Sequence, residues 1–342
     1  MTNTPFINRI LFGFYVFITL AVGIAALIWP GFRTLAYAPL RDILFPNVYL
    51  PTQASMPVTL TIAAPAALQG WVKANATEFT AQNPFIEVEV TQLSGMDAER
   101  RLNTLTGQTD VWIAESDLAR AAAASIPYEA RGTSVAQDTF LWVAVKASQS
   151  ELSGGLTWSR VAEAAGNNPS FKIAMPPINS VEGMAACWIA AAEYHNTDSI
   201  TSDQVSNPAF RQWLTDLLEA APDRNRSPRD QLATRPPQAN AGLILQSDWD
   251  ELAQDAFISQ PPGRNAGFNY PYYVRTTWQN LQPEEISAHE EAATKFRSYL
   301  LGTSAQNQLA GYGLVQAGAQ PPGQLPMIQD TSVIRTLQFC WQ

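Results

Sequence analysis

The stretch VTLTIAAPAALQGWVKANATEFTAQNPFIEVEV, residues 58–90, decides the fold class of this chain. Over residues 58–62, apolar side chains alternate with threonines, and this period of two is typical of a β-strand. Residues 86–90 alternate in the same way. Between them, apolar residues recur at helical spacing over 68–79, and Pro84 follows the end of that helix. The stretch therefore predicts a strand, a helix and a second strand.

The same alternation of strands and helices continues along the chain. Further predicted strands lie at 111–114, 140–145, 171–175, 241–245 and 270–278, and further helices at 98–105, 158–165, 180–194, 210–218, 248–257 and 283–301. The polar, Pro-rich residues 222–240 predict an exposed loop. Strands that alternate with helices are joined by right-handed crossovers, which predicts largely parallel, doubly wound sheets.

An apolar segment precedes this body. Residues 10–29, ILFGFYVFITLAVGIAALIW, carry no charge, and about 20 helical residues span the hydrocarbon core of a membrane. The alternative is a cleaved signal peptide, but the run exceeds the usual apolar length of about 7–15 residues, and Arg33 interrupts the cleavage region. We therefore predict an uncleaved transmembrane helix at Ile10 to Trp29, after a short tail at 1–9 and before a Pro-rich linker at 30–57.

Composition limits the classes of function. Of the 342 residues, 46% are hydrophobic and 10% aromatic, which supports an ordered core. The net charge is −9 and no Lys/Arg cluster occurs, so a nucleic-acid partner is not expected, because phosphate binding needs concentrated positive charge. The two cysteines, Cys187 and Cys340, are interpreted as separate thiols, with a disulfide between them as the alternative in an extracytoplasmic protein.

The sequence carries no recognisable catalytic motif. It has two histidines, no H-E-x-x-H, no Gly-x-Ser-x-Gly and no C-x-x-C. Acidic pairs such as Glu284-Glu285 fall at predicted helix starts, where the helix dipole favours them. We expect no catalytic residues, no metal and no cofactor.

Several short motifs, in this order, resemble the bacterial extracellular solute-binding proteins of the second structural type, which includes molybdate-, sulfate- and polyamine-binding members. The motifs are the opening strand–helix–strand, DVWIAES at 110–116, PINSVEG at 177–183, YPYYV at 270–274 and the closing helices at 290–314. Together they cover nearly all of residues 58–315.

The resemblance implies two doubly wound α/β lobes joined by a hinge of crossing strands, with lobe 1 at 58–138 and 272–334 and lobe 2 at 139–271. It also implies an extracytoplasmic body that captures a small ligand, for an ABC-type importer whose permease would be a partner. The residues that it places at the ligand are Ala64, Ala66, Glu115, Ser116, Asn179, Ser180, Asp248 and Tyr273.

The chain departs from the pattern of oxyanion-binding members. Residues 63–66, Ala-Ala-Pro-Ala, offer no side-chain donors, and Glu115, Glu182 and Asp248 add negative charge at strand and helix ends. These carboxylates disfavour molybdate or sulfate and suit a cationic or hydroxyl-rich ligand, unless they are simply solvated helix-start groups. An alternative function is a non-catalytic accessory subunit of a membrane complex, with a degenerate binding site.

Overall fold

The computed structural model describes residues 57–95, 101–102, 109–122, 126–132, 134–177, 179–262, 267–319, 327–328, 331–338 and 340. The predicted anchor at 10–29, the tail, nearly all of the linker and most of the helix predicted at 98–105 lie outside these residues. Within the described ranges, no helix combines the length and the apolar character that crossing a membrane requires.

The described strands are β1 (Val58–Ala64), β2 (Ile86–Gln92), β3 (Val111–Ile113), β4 (Tyr128–Ala130), β5 (Ala136–Val145), β6 (Ile173–Ala174), β7 (Ser199–Ile200), β8 (Ala241–Leu245), β9 (Phe257–Gln260), β10 (Gly267–Tyr270), β11 (Tyr272–Arg275), β12 (Val315–Gln316) and β13 (Met327–Ile328). The described α-helices are α1 (Ala66–Gln82), α2 (Ser116–Ala122), α3 (Trp158–Asn167), α4 (Val181–His195), α5 (Ser202–Val205), α6 (Pro208–Glu219), α7 (Pro228–Ala233), α8 (Gln246–Trp249), α9 (Pro283–Leu300), α10 (Thr303–Gln308) and α11 (Thr331–Gln338). Three short 3₁₀ helices lie at Lys146–Ser148, Gln254–Ala256 and Leu309–Tyr312.

The first sheet has the strand order β2-β1-β3-β11-β4. β1 runs parallel to β2 and to β3, which confirms the strand–helix–strand predicted at 58–90. β11 is antiparallel to both β3 and β4. β1, β2 and β3 therefore run parallel to one another. β11 runs antiparallel to its two neighbours, because the chain enters it from the second sheet. α1 and α9 contact the parallel strands and each other.

The second sheet is built around β5. Its order is β10-β5-β8-β6, and β9 and β12 also pair with β5. The first half of β5 pairs with β10 and β12, and its second half pairs with β8 and β9. Apart from the parallel pair β6–β8, these pairings are antiparallel, so this sheet is less parallel than predicted.

Two segments join the sheets and lie side by side. The chain first passes from β4 to β5, and it later returns from β10 to β11 across Pro271. The Arg131 N–H donates to the Tyr272 carbonyl at 2.9 Å, and the Val135 N–H donates to the Tyr270 carbonyl at 2.9 Å. The two crossing segments are thus hydrogen-bonded to each other on both sides of Pro271.

The C-terminal part of the chain is covalently attached to α4. Cys187 on α4 and Cys340 form a disulfide with their Cα atoms 6.4 Å apart. The prediction of separate thiols is therefore wrong, because folding brings the buried Cys187 next to a residue 153 positions away. β13 pairs with β7, and α11 contacts α2, α4 and α5.

Three local predictions are corrected. The helix predicted at 248–257 ends at Trp249, and Phe257 instead begins β9, whose pairing with β5 outweighs the local helical pattern. The strand predicted at 270–278 is interrupted at Pro271, which has no N–H to continue a ladder. The loop predicted at 222–240 contains α7, with Pro228 at its first position.

Candidate functional site

The loops after β1 and β3 lie at one edge of the first sheet, because these strands are parallel neighbours. Ala64 ends β1 and Ala66 begins α1, whereas Glu115 lies between β3 and α2 and Ser116 begins α2. The second sheet contributes the turn before α4, with Asn179 and Ser180, and the residues after β8, with Asp248.

Glu115 is linked to the start of α1 through Ser94. The Ala66 N–H donates to Ser94 Oγ at 3.0 Å, and Ser94 in turn is hydrogen-bonded to the Glu115 carboxylate. Glu115 Oε2 also accepts from the Gly95 N–H at 2.9 Å. The half-buried Glu115 carboxylate therefore accepts from hydrogen-bond donors that the loops would otherwise offer to an anion. It is not simply a solvated carboxylate at the start of a helix.

Ser116 has a backbone conformation that non-glycine residues rarely adopt. Its φ is +68°, and its side chain is buried. Strain of this kind costs on the order of 1–3 kcal/mol and persists only where the surroundings enforce it. Here Ser116 begins α2 and its Oγ accepts from the Leu118 N–H at 3.3 Å, so the turn holds Glu115 at the sheet edge.

Ser180 is engaged in capping α4. Its Oγ accepts from the Gly183 N–H at 2.9 Å and donates to the Pro177 carbonyl at 2.7 Å, which confirms the predicted N-cap. Asn179, next to it, is exposed. In the first sheet, the Ala64 carbonyl accepts from the Leu93 N–H at 2.9 Å. Ser180 therefore has its hydroxyl committed to the protein.

Four carboxyl groups from both sheets influence one another. Burial, together with the charges of Glu115, Asp248 and Asp138, raises the pKa of Glu182 to about 8. Burial also raises the pKa of Glu115 and of Asp248. Of the predicted residues, Glu115 and Asp248 thus lie within electrostatic range of Glu182, as does Asp138. These four residues are called the acidic cluster below.

Asp138 was not predicted as a site residue. It is fully buried in β5, with Oδ2 accepting from the Ser247 hydroxyl at 2.6 Å and Oδ1 from the Thr139 N–H at 2.7 Å. Burial raises its pKa to about 7, against these hydrogen bonds. The signal in the sequence was a carboxylate two residues before the apolar run 140–145, since an unpaired charge in a buried strand is costly.

Tyr273 contacts residues that do not belong to the acidic cluster. Its ring stacks on Trp112 at 5.4 Å, and its hydroxyl donates to Asp117 Oδ1 at 3.1 Å. Tyr270 is the aromatic residue beside the cluster, since the cluster's charges add to burial in raising the pKa of its hydroxyl. Asp248 is partly balanced by Arg229, whose Nη1 lies 3.5 Å from Asp248 Oδ1.

No group of three or more His, Cys, Asp or Glu side chains in the described part of the chain is arranged to hold a metal ion.

The raised pKa values of Asp138 and Glu182 predict that stability falls as pH rises. In an unfolded chain these carboxyls titrate at about pH 4, whereas in the fold they titrate at about 7 and about 8. Between these values the folded protein holds protons that the unfolded chain has lost, so raising the pH favours unfolding. We expect a lower Tm at about pH 8.5 than at about pH 5.5, measured by circular dichroism.

The Asp138→Asn variant tests the assignment, because its amide imitates the protonated carboxyl at the Ser247 hydroxyl. It should flatten the dependence of Tm on pH, whereas Glu284→Gln, on the exposed start of α9, should leave it as in the wild type. A wild-type Tm that does not fall across this range would contradict the prediction.

Comparisons with known proteins agree with the fold. A family model described as bacterial extracellular solute-binding protein matches residues 60–315. Among solved structures, an ABC transporter protein from Clostridium perfringens has a TM-score of 0.60 at 13% identity, covering 82% of this chain and 97% of its own. The ferric binding protein from Campylobacter jejuni has a TM-score of 0.58 at 13% identity, covering 82% and 98%.

The sulfate-binding protein SubI from Mycobacterium tuberculosis has a TM-score of 0.53 at 15% identity, covering 83% of this chain and 92% of its own. No curated protein matches the sequence. The structural likenesses, at these identities, show the mixed α/β fold alone, whereas the family model covers most of the chain. The chain therefore belongs to the bacterial extracellular solute-binding proteins.

Proposed function

We propose that this chain is a membrane-tethered, extracytoplasmic protein that captures a small cationic or hydroxyl-rich ligand between two lobes and delivers it to an ABC-type importer. Residues 10–29 would provide the tether, 58–138 and 272–334 the first lobe, and 139–271 the second. The chain would bind and release its ligand without chemical change.

The observation that carries this proposal is the acidic cluster. Glu115 follows a strand of the first sheet, whereas Asp138, Glu182 and Asp248 belong to the second sheet or follow its strands. Ligands of α/β proteins bind outside the carboxyl ends of strands, and the two hydrogen-bonded crossing segments would serve as the hinge about which the two lobes close. Closure that brings like charges together is favoured by a cation that lies between them.

The proposed charge of the ligand follows from which hydrogen-bond donors at the site already have protein partners. An anion would need donors, but the Ala66 N–H, the Gly95 N–H and the Ser180 hydroxyl already have protein partners. The comparison structures do not decide the ligand, because one is named for ferric iron and another for sulfate. The acidic cluster therefore remains the best guide to ligand class.

A second function is favoured by the same committed donors. If the polar groups at the strand ends serve only the protein itself, the site no longer binds a solute, and the domain would act as an accessory subunit of a membrane complex. The Tyr273 hydroxyl, bonded to Asp117, adds to this argument.

A thermal-shift screen separates the two functions. The full chain, purified in mild detergent, is heated with polyamines, basic amino acids, sugars, neutral amino acids, oxyanions and divalent metals while tryptophan fluorescence is followed. A ligand at 100 times its Kd adds about 2.7 kcal/mol of stability, which is about 5 °C or more for a body of this size. A shift with polyamines, basic amino acids or sugars supports the proposal.

A shift with oxyanions alone would contradict the proposed ligand class. No shift with any compound, in a sample with a cooperative transition, would favour the accessory subunit.

Matched variants test the role of the acidic cluster. Above about pH 8, where the Glu182 carboxyl is ionised, we expect Glu182→Gln to weaken binding of a cationic ligand found in the screen, since a hydrogen bond to a charged group contributes about 1.5–3 kcal/mol, roughly a tenfold or larger rise in Kd. Glu284→Gln removes one carboxylate from the exposed start of α9 and should leave Kd unchanged. Titration calorimetry gives both values, and equal effects of the two variants would place the ligand elsewhere.

A further inference from the structure

We propose that α11, fixed to α4 by the Cys187–Cys340 disulfide, is a clasp that limits how far the two lobes can separate. The clasp consists of residues 331–338 together with Cys340, and it is treated as an element separate from both lobes, although residues 331–334 fall in the range proposed for the first lobe. This inference rests on the two-lobed movement proposed above, and it does not depend on which ligand is bound.

One face of α11 is buried against the rest of the protein. Val333, Ile334 and Leu337 are each at most 3% exposed and belong to the main hydrophobic core, whereas Arg335 is exposed. Spacings of one and four residues place these three side chains on one side of a helix. Because this face is apolar and buried, α11 is held to the rest of the protein by hydrophobic packing and not by charge alone.

The partners of α11 come from both sides of the crossing segments. It contacts α2, which directly follows β3 of the first sheet, and α4, which follows β6 of the second sheet. It also contacts α5, where Ser332 Oγ donates to Ser202 Oγ at 3.4 Å. α2 and α4 contact each other as well, so α11 lies beside the place where the two sides meet.

Because of the disulfide, α11 is attached more strongly to α4 than to α2. On the α4 side the clasp is held by a covalent bond, and β13 just before it pairs with β7. On the α2 side the contacts of α11 are non-covalent. Lobe separation that pulls α2 away from α4 therefore has to expose apolar surface of α11 while the bond keeps α11 in place. Exposing such surface is unfavourable, so the clasp should favour the closed arrangement.

The test measures the distance between lobes. A keto-bearing amino acid at Lys73 on α1 and another at Gln212 on α6, both exposed, carry nitroxide labels that leave the native cysteines untouched. Pulsed electron spin resonance on the full chain in detergent, without added ligand, then gives the distribution of label-to-label distances. The variants are Cys340→Ser, Cys340→Ser with Leu337→Ala, and Arg335→Ala as the control on the exposed face of α11.

We expect one narrow distribution for the wild type and for Arg335→Ala. Cys340→Ser should broaden it toward longer distances, and adding Leu337→Ala should shift it further. Distributions identical to the wild type in both cysteine variants would overturn the proposal. Near-UV circular dichroism checks the fold, and if the double variant does not fold, Cys340→Ser alone decides. Failure to find a ligand in the thermal screen would not change this outcome, so the two proposals fail separately.

Discussion

Breaking the Cys187–Cys340 disulfide is expected to lower the free energy of unfolding by about 2–5 kcal/mol. The bond joins residues 153 positions apart, and a cross-link that closes a long loop removes many conformations from the unfolded chain. Both cysteines are buried, and without the bond α11 is held to α4 by non-covalent contacts alone. For a body of this size the expected loss is about 10 °C in Tm.

The measurement compares the Tm of the wild type with that of Cys340→Ser, each with and without a phosphine reductant. Reduction should lower the Tm of the wild type to that of the variant and leave the variant unchanged. A wild type whose Tm is unaffected by full reduction, verified by thiol titration, would show that the bond contributes little.

Replacing Trp71 with alanine is expected to cost about 3–5 kcal/mol, as for other fully buried tryptophans. Trp71 is 0% exposed in the middle of α1. Its Nε1–H donates to the Ala305 carbonyl at 2.9 Å, which ties the first helix to α10 near the end of the folded body. The Trp71→Ala variant therefore loses packing and also leaves a buried carbonyl without its donor.

The Trp71→Phe variant separates these two losses. It keeps most of the ring packing but removes the N–H, so we expect a cost of about 1–3 kcal/mol, the usual penalty for an unsatisfied buried group. Urea unfolding followed by circular dichroism gives both values. Equal costs for the two variants would mean that the hydrogen bond, rather than the packing of the ring, holds α1 against α10.

Local patterns in the sequence predicted the elements whose stability is local. The prediction of a strand, a helix and a strand at 58–90 was correct. The spacing of its apolar residues changes from two to about four and back, and each spacing matches one type of structure. The cap at Ser180 was correct for a similar reason, since a hydroxyl three residues before Gly183 satisfies the first turn of α4 by itself.

Features that depend on distant partners were not predictable. β9 forms where a helix was expected. It was missed because its partner, β5, lies more than a hundred residues earlier. The disulfide was missed for the same reason. Asp138 gave a signal in the sequence, but its neighbours Ser247 and Glu182 come from other elements. The anchor at 10–29 and the lobe boundaries stay predictions.

The return of the chain through Pro271 also sets an order of events during synthesis. β3 lies between β1 and β11, so one of its edges has no partner until Tyr273 has left the ribosome. At ordinary translation rates that delay is on the order of ten seconds, and throughout it Trp112 lacks the ring on which it later stacks. An open strand edge of this kind is a template for pairing with other chains. The nascent protein therefore has this edge open to aggregation while its middle third is being made.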